Sequence, residues 1–396
     1  MTSADRWLLP DGVEEVLPQE AGRLETLRRR ILDVYTTWGY ELVITPMIEY
    51  LDSLLVGSSH DLDLHTFKLT DQLSGRLMGA RADITPQVAR IDAHNLDREG
   101  PARFCYSDTV LHTRPRGLHT SRTPIRIGAE LFGHAGIECD VEIICLMMKT
   151  LETAEIDGIH LILGHVGLFR NLVREAGLDR DQEQVLFDAM QRKAYSEIEK
   201  LLDSYRVSTD LRAMLSGLSR LSGGEDVLEQ AETVFADAPE SVSTELDFLS
   251  RTADMVRKRL PGITLGFDLC ELRGYAYHTG MVFAAYTPEY GRAVAKGGRF
   301  DDIGRVFGRA RPASGFDADL KVLARLSRLP APVAGSILAP AHEDPALERL
   351  VAELRASGER VIQALAAEMD DPAVLDEMHC KQLIVHDGQG WTLKNR

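Results

Sequence analysis

The first half of the chain alternates between apolar spacings typical of helices and of strands. Residues 18–38 carry one apolar stripe at helical spacing, with Pro18 suited to the first turn and Gly39 to the C-terminal end. Residues 64–79 predict a hairpin, because two β-type runs flank a polar turn. Ile125–Phe132 has the composition of a mostly buried strand. These patterns predict a domain that mixes helices with strands.

The second half begins with a long helical stretch and ends in a small mixed tail. Residues 179–259 are helix-rich, acidic and free of chemical motifs, and β-type segments resume at residue 262. Residues 313–326 predict one apolar-striped helix. A proline-rich linker at 330–333 then precedes residues 334–396, which begin in the order strand, helix, strand.

A length of 396 residues favours two or three domains. We expect a core made of residues 1–178 and 260–328, interrupted by a helical insertion at 179–259. Residues 334–396 are expected to form a small α/β domain at the C-terminal end.

Charge and cysteine content narrow the classes of function. The formal net charge of -16 argues against a protein whose main task is to grip a phosphate backbone. The five cysteines are scattered without a CxxC pair, so the sequence predicts neither a zinc site nor a disulfide framework, and it suits a reducing cytoplasm. The N-terminus lacks the features of a signal peptide, and no apolar run reaches the roughly 20 residues of a membrane span. No motif indicates a cofactor or a metal.

One polar run between apolar flanks is a candidate ligand site. Leu269–Phe283 contains Arg273, which could pair with a carboxylate or a phosphate, and Tyr and His residues that could hold a polar ring. Many apolar neighbours are typical of a pocket floor. The alternative is a polar strand end whose groups only satisfy one another.

Two further segments carry polar groups in apolar surroundings. In Arg81–Arg90, Asp83 and Thr85 alternate with apolar residues before Pro86, a pattern that helix capping alone also explains. Glu130 lies inside an otherwise apolar strand, so its carboxylate needs a partner or a ligand.

Two other segments carry charged or glycine residues that suggest an anion site. The loop at 113–123 has three arginines that could hold an anion, or that could simply be solvated. Ala293–Ile303 predicts a strand that runs into a glycine turn at Gly297 and Gly298; the segment lacks the spacing of a P-loop, and its Asp301-Asp302 pair fits a solvated turn.

The order of these segments resembles the catalytic domain of histidyl-tRNA synthetases. The resemblance covers residues 10–328, and it is most specific at Gly128–Gly133, Leu272–Gly274 and Gly297–Asp301. It implies an α+β fold of the class II aminoacyl-tRNA synthetase type, in which an antiparallel sheet is flanked by helices.

The chain departs from the synthetases at the positions that bind ATP. By the resemblance, His112 and Arg114 stand where the second class II motif has an arginine and a glutamate, and Val322 replaces the ATP-binding arginine of the third motif. An isopropyl group cannot replace a guanidinium that forks onto phosphate. The tail is also shorter than an anticodon-binding domain, so we expect neither aminoacylation nor tRNA binding.

The segment Arg81–Arg90 is similar almost position for position to a second family, the regulatory subunits of ATP phosphoribosyltransferase. This resemblance implies a non-catalytic role in the first step of histidine biosynthesis. It also implies a hetero-oligomer with a separately encoded short catalytic subunit, which this chain would activate, and feedback inhibition by histidine. A self-dimer through the first class II motif, Gly39–Tyr50, is expected as well.

The resemblance also implies a histidine pocket. Asp83 and Thr85 would receive the α-ammonium, Glu130 the imidazole N–H and Arg273 the carboxylate. The residues that would line this pocket are Asp83, Thr85, Arg126, Glu130, Arg273, Tyr275, Tyr277 and His278.

Two of these positions differ from the synthetases. Arg126 stands where a glutamine helps to hold the amino acid, and His278 where a tyrosine contacts the ring. Two alternatives to the sensor are a divergent synthetase-like ligase that activates an amino acid, and a scaffold with a vestigial pocket.

Overall fold

The computed structural model describes residues 7–55, 60–115, 120–272, 274–275, 277–330, 335–365 and 372–396. It divides into two compact units, Met1–Leu329 and Pro330–Arg396. The first unit holds a large sheet, its flanking helices and a helical insertion; the second is a small α/β unit.

Nine strands in the described part of the first unit form one mostly antiparallel sheet. Its strands, in chain order, are β1 (Glu41–Leu42), β5 (Ala102–Thr109), β6 (Ile125–Phe132), β7 (His160–His165), β8 (Ser222–Gly223), β9 (Thr264–Asp268), β10 (Met281–Thr287), β11 (Tyr290–Arg299) and β12 (Ala313–Asp319). The spatial order is β1-β5-β6-β12-β11-β10-β7-β9-β8. Only the β1–β5 and β7–β9 pairs among these are parallel. The α+β class and the antiparallel sheet expected from sequence are therefore confirmed.

Side chains alternate between two faces of this sheet, as the pleat of a strand requires. On β6, Ile127 and Ala129 are buried in the main core, whereas Arg126 and Glu130 face a cavity on the opposite side. The same alternation along β10 and β12 gives the sheet one apolar face and one face that can hold a ligand.

Helices cover the apolar face. The helices that pack there are α1 (Pro18–Thr37), α5 (Ile137–Thr153), α6 (Val166–Glu175), α11 (Glu240–Arg259) and α12 (Leu320–Leu326). Twelve residues of α5 are buried, because this helix is apolar nearly all round and lies between the sheet and α1 and α11. A buried ion pair fixes its first turn: the Arg299 guanidinium on β11 donates to Asp140 at 2.5 Å.

A small three-stranded sheet supports the segment that begins at Arg81. Its strands are β2 (Ile48–Tyr50), β3 (Phe67–Thr70) and β4 (Leu77–Ala80), accompanied by α2 (Leu51–Leu55) and α3 (His60–His65). Arg81 follows β4 and is buried; it donates to the Thr45 carbonyl at 2.7 Å and pairs with Asp108 at 2.7 Å. These contacts fix the start of α4 (Thr85–Arg90), which continues as a π-helical segment, Ile91–Leu96.

The segment 179–259, predicted as a helical insertion, contains α7 (Arg180–Gln191), α8 (Tyr195–Ser204), α9 (Thr209–Leu218) and α10 (Asp226–Val234), and it ends with α11, which packs on α5 and β7 of the core. The name helical insertion is used below for α7 to α10. A capping box starts α7: the Asp179 side chain accepts from the Gln182 backbone, and the Gln182 side chain accepts from the Asp179 backbone. Leu186, Leu202 and Leu215 bury the apolar faces of three of these helices in the main core.

The C-terminal unit has its own four-stranded sheet in the order β14-β13-β15-β16. Its elements are β13 (Ser336–Ala339), α13 (Pro345–Ala356), β14 (Val361–Gln363), α14 (Pro372–Glu377), β15 (Cys380–His386) and β16 (Trp391–Asn395). Val351, Ile337 and Ile384 are buried in one of its apolar clusters. The sequence patterns did not predict α14 or β16.

Two predicted elements were wrong. Gly297 and Gly298, predicted as a turn after a strand, lie within β11 and pair with the strands on both sides of it. Residues 313–326 are not a single helix, because Ala313–Asp319 forms the strand β12 and only Leu320–Leu326 is helical. β12 lies between β6 and β11 in the middle of the sheet. Its small and apolar residues are buried on both sides, so the period-two pattern of a half-exposed strand is missing.

Candidate functional site

A cavity of about 220 Å³ lies over the polar face of the large sheet. Strands β6, β12, β11, β10 and β7 form its floor, the start of α4 forms one wall, and the turn after β9 forms another. Polar and charged residues that line it are Asp83, Thr85, Arg126, Glu130, Glu271, Tyr277, His278, Tyr286, Lys296 and Asp317. The structure thus brings together six of the eight predicted site residues.

Glu130 is the most deeply buried acid of this cavity, with 1% of its surface exposed. Its Oε1 accepts hydrogen bonds from the Thr85 hydroxyl at 2.7 Å and from the Tyr106 hydroxyl at 3.2 Å. Its Oε2 has no hydrogen-bond partner among the described residues. Burial raises the pKa of the Glu130 carboxyl well above its usual range, and the hydrogen bond from Thr85 offsets this only in part. Glu130 therefore presents one oxygen that a ligand could satisfy.

Tyr277 brings a second buried oxygen to the cavity. Its ring stacks on Phe300 with centroids 5.3 Å apart, and its hydroxyl has no hydrogen-bond partner within the described part of the protein. Burial raises the pKa of this hydroxyl well above its usual value, so it stays protonated and can donate.

His278 is held as a neutral ring beside Tyr277. Burial lowers the pKa of His278 to about 4. Its Nδ1 lies 3.3 Å from the Arg299 carbonyl, which can only accept, so Nδ1 carries the proton. A Cβ at Gly274 or Gly298 would come within 2.8 Å of this ring, so the two glycines leave the space that it fills.

Two acids of the cavity, Asp83 and Asp317, act on the charge of Arg126. Asp83 lies just before α4, and its Oδ1 accepts from the Ile84 backbone at 2.7 Å. Arg126 does not face this region as an isolated cation: its Nε lies 3.4 Å from Asp317 Oδ2. Burial opposes the charge of Arg126, but the carboxylates of Asp317, Asp319 and Asp83 raise its pKa overall. The cavity thus keeps acidic groups beside the arginine that replaces glutamine.

Tyr275 does not line the cavity, contrary to the prediction. Its ring packs between Phe169 and Phe187, and its hydroxyl donates to Glu183 at 2.5 Å. The turn sends successive aromatic side chains to opposite sides, which spacing in the sequence could not show. Arg273 lies outside the described residues.

Asp317, Lys296 and Tyr106 were not predicted as site residues, and Glu271 was included only as part of the polar run Leu269–Phe283. Asp317 lies on β12 opposite Gly128, so it shares the face of Glu130, but it was assigned to a helix. The alternation of β11 before Gly297 could have revealed Lys296, which pairs with Ala284 on the floor. No local signal marks Tyr106, because it reaches Glu130 across a strand pair.

The arginines of the loop at 113–123 have separate surroundings. Arg122 donates to the carbonyls of His112 and Asp11, both at 3.0 Å, so its guanidinium ties together two parts of the backbone. Arg114 is exposed, and Arg116 lies outside the described residues. His112 is buried, with its Nε2 3.0 Å from the Ala82 carbonyl.

Comparison with known proteins first defines the class. A family model described as Histidyl-tRNA synthetase matches residues 12–323. A solved structure described as an ATP phosphoribosyltransferase regulatory subunit/histidyl-tRNA synthetase, from Bacillus halodurans, has a TM-score of 0.83 at 26% identity and covers 95% of this chain and 97% of that one. Histidyl-tRNA synthetase from Nostoc, at 18% identity and a TM-score of 0.79, shares the fold, with coverage of 98% and 94% of the two chains. The fold is that of a histidyl-tRNA synthetase-like protein.

The particular family follows from closer relatives. A regulatory subunit of ATP phosphoribosyltransferase from Alkalilimnicola ehrlichii is 54% identical over 98% of this chain and 97% of its own length. One from Pseudomonas aeruginosa is 55% identical over 98% of both chains. A model described as the ATP phosphoribosyltransferase subunit HisZ C-terminal domain matches residues 334–394. This chain belongs to the ATP phosphoribosyltransferase regulatory subunits, as the sequence resemblance predicted, and that family name indicates a non-catalytic role.

The described residues show neither a membrane-spanning helix nor a metal cluster. No helix there combines the length and the apolar character needed to cross a bilayer. No group of three or more His, Cys, Asp or Glu residues within those ranges has the arrangement of a metal site.

Proposed function

We propose that this chain assembles in the cytoplasm with a short catalytic subunit of ATP phosphoribosyltransferase, activates it, and carries a cavity through which histidine inhibits it. One observation supports the histidine site above all others. Two buried oxygens, Glu130 Oε2 and the Tyr277 hydroxyl, share one cavity and lack partners among the described residues. Leaving buried polar groups unsatisfied costs free energy, which a polar ring bound between them would recover.

The other cavity residues suit the rest of a zwitterionic amino acid. Asp83 and Thr85 lie at the start of α4, where they can accept from an α-ammonium, and the Asp317 carboxylate offsets the charge of Arg126. Arg273 is assigned to the carboxylate by resemblance alone. Imidazole nitrogens would face Glu130 and Tyr277, since a neutral acid, a phenol and an imidazole can exchange donor and acceptor roles.

The alternative of an amino-acid-activating ligase has little support. His112 is buried against the Ala82 carbonyl, and Val322 is an aliphatic residue within α12, at the two positions where the synthetases bind ATP through arginine. We expect no amino-acid-dependent exchange of pyrophosphate into ATP by this chain alone. A measurable exchange rate would favour the ligase.

The test is to co-purify the chain with a short catalytic subunit and to titrate histidine, following both binding heat and phosphoribosyl transfer. The informative variant is Tyr277→Phe. It removes a hydroxyl without a partner among the described residues, so we expect unchanged stability and assembly. Histidine should bind about tenfold more weakly, because one hydrogen bond is lost.

Tyr205→Phe is the matched control, since Tyr205 ends α8 in the insertion, away from the cavity-lining residues. Its histidine affinity should equal that of the unmodified chain. The regulatory proposal is wrong if the catalytic subunit is equally active without this chain. The histidine site is wrong if the assembled complex shows no binding heat, or if Tyr277→Phe binds normally.

A further inference from the structure

Side chains from outside the sheet also hold the turn that carries Tyr277 and His278. We call the described residues of this turn, Gly274, Tyr275 and 277–280, the wall turn. Within it, the backbone N–H groups of Tyr275, Tyr277 and His278 donate to carbonyls of Leu272 and Gly274, at 2.8 to 2.9 Å. Backbone pairing with the sheet resumes at Thr279, which donates to Arg299. Local turn bonds fix the shape of such a segment but leave its position relative to the sheet to side chains.

Arg170 on α6 supplies one such side chain. Its Nη2 donates to the Tyr275 carbonyl at 3.0 Å and to the His278 carbonyl at 2.8 Å. The guanidinium carbon also lies 4.8 Å from the centroid of the Tyr275 ring. One cation therefore binds a carbonyl on each side of Tyr277, although Arg170 itself does not line the cavity.

A second contact connects the same stretch to the insertion. The Tyr275 hydroxyl donates to Glu183 at 2.5 Å, and Glu183 lies in the first turn of α7. The Tyr275 ring also packs on Phe187 of α7, with centroids 5.2 Å apart. Any displacement of the wall turn would have to break or move these contacts.

We propose that Arg170 is a positioning residue for the histidine cavity, and that the Tyr275–Glu183 contact transmits occupancy of the cavity to the helical insertion. The inference rests on the proposed function, since it names the residues through which that site is coupled to another element. Coupling requires that histidine binds better when the wall turn is in its observed position than when it is displaced. Arg170 stabilises that position without touching the ligand.

The first experiment measures histidine binding to the full-length chain by calorimetry. Arg170→Ala removes both donated hydrogen bonds, so we expect about tenfold weaker binding. Arg170→Lys keeps the charge and can donate to one carbonyl. We therefore expect its affinity for histidine to lie between those of the unmodified chain and of Arg170→Ala. Arg212→Ala is the control: Arg212 pairs with Glu199 and Asp203 on the surface of the insertion, and its loss should leave the affinity unchanged.

The second experiment follows hydrogen exchange of the α7 amides with and without histidine. Histidine should slow exchange in α7 of the unmodified chain. Tyr275→Phe keeps the aromatic packing but breaks the contact with Glu183, so we expect histidine to bind within about threefold of normal while the slowing in α7 disappears. If Arg170→Ala does not fold, Tyr275→Phe still tests the inference, because it retains the aromatic ring and its packing.

The outcomes separate the two proposals. If the unmodified chain binds no histidine, alone or with the catalytic subunit, the proposed histidine site fails and this inference with it. If the unmodified chain binds histidine and a folded Arg170→Ala or Arg170→Lys protein binds it equally well, the positioning role is refuted and the proposed function stands. Unchanged slowing of α7 in Tyr275→Phe refutes the transmission through Glu183.

Discussion

The carboxyl of Glu130 illustrates how one buried residue can limit stability and still favour binding. Its Oε1 is satisfied by two hydroxyl groups, and its Oε2 is not satisfied by the described residues. Burial raises its pKa, so the folded protein binds a proton more tightly than the unfolded chain does. The contribution of this proton to the free energy of unfolding is fully present below the ordinary pKa of 4.5. It is lost as the pH rises through the pKa of the folded state.

We therefore expect Glu130→Gln to unfold at a higher denaturant concentration than the unmodified protein near neutral pH. Glutamine keeps the shape and cannot ionise, and each unit of pKa difference corresponds to about 1.4 kcal/mol. The advantage should grow as the pH rises above 4.5. Urea unfolding at several pH values measures it, and an advantage that shrinks with rising pH would contradict the raised pKa.

At the scale of elements, one ion pair connects β11 to α5. Asp140 is fully buried and Arg299 nearly so, and the same guanidinium donates to the Gly136 carbonyl at 3.1 Å, just before α5. Burial raises the pKa of Asp140 despite the arginine. A buried charge left here without its partner would destabilise the fold, whereas two apolar residues in place of Asp140 and Arg299 would not.

We expect Arg299→Met to lower the free energy of unfolding by about 3–5 kcal/mol, because it leaves a buried carboxylate unpaired. Arg299→Met combined with Asp140→Leu should cost less than the sum of the two single changes. Chemical denaturation of all four proteins gives the coupling energy. Additive costs would mean that the pair does not act as a unit.

Sequence patterns predicted elements best where one face is exposed. The period of α1 and the polar turn of the β3–β4 hairpin appear directly in the residues. The prediction for β12 was wrong because both faces of this strand are covered. Of the candidate site, Glu130 was found from the residues themselves, since a charge in an apolar strand needs a partner, whereas Asp83 was assigned to the site by the resemblance. Whether Asp317 and Lys296 face the cavity depends on strand register, and the direction of the Tyr275 side chain depends on turn geometry. No local pattern encodes either.

At the scale of the whole molecule, an apolar strip on the first class II motif supports the expected self-dimer. Leu42, Ile44 and Ile48 expose 52%, 82% and 46% of their surface at the β1 edge and the segment after it. Large apolar side chains that stay exposed within one short segment suit a contact between subunits.

We expect Ile44→Glu to convert a dimer into a monomer while leaving histidine binding to the isolated chain intact, because Ile44 does not line the cavity. Sedimentation velocity measures the mass in each case. Val185→Glu, on the exposed side of α7, controls for a new surface charge and should leave the mass unchanged. A monomeric unmodified chain, or a dimeric Ile44→Glu protein, would exclude this interface.

The closeness of Gly315 to Glu130 limits which residues relatives can carry at these two positions. It pairs with Glu130 across β12 and β6, and a Cβ placed on it would lie 1.6 Å from Glu130 Oε2. A long acid at position 130 therefore requires glycine at position 315, whereas glycine at 315 also accepts smaller or neutral residues at 130. Across relatives, chains that keep glutamate at 130 should carry glycine at 315, and a side chain at 315 should occur only where the residue at 130 is shorter.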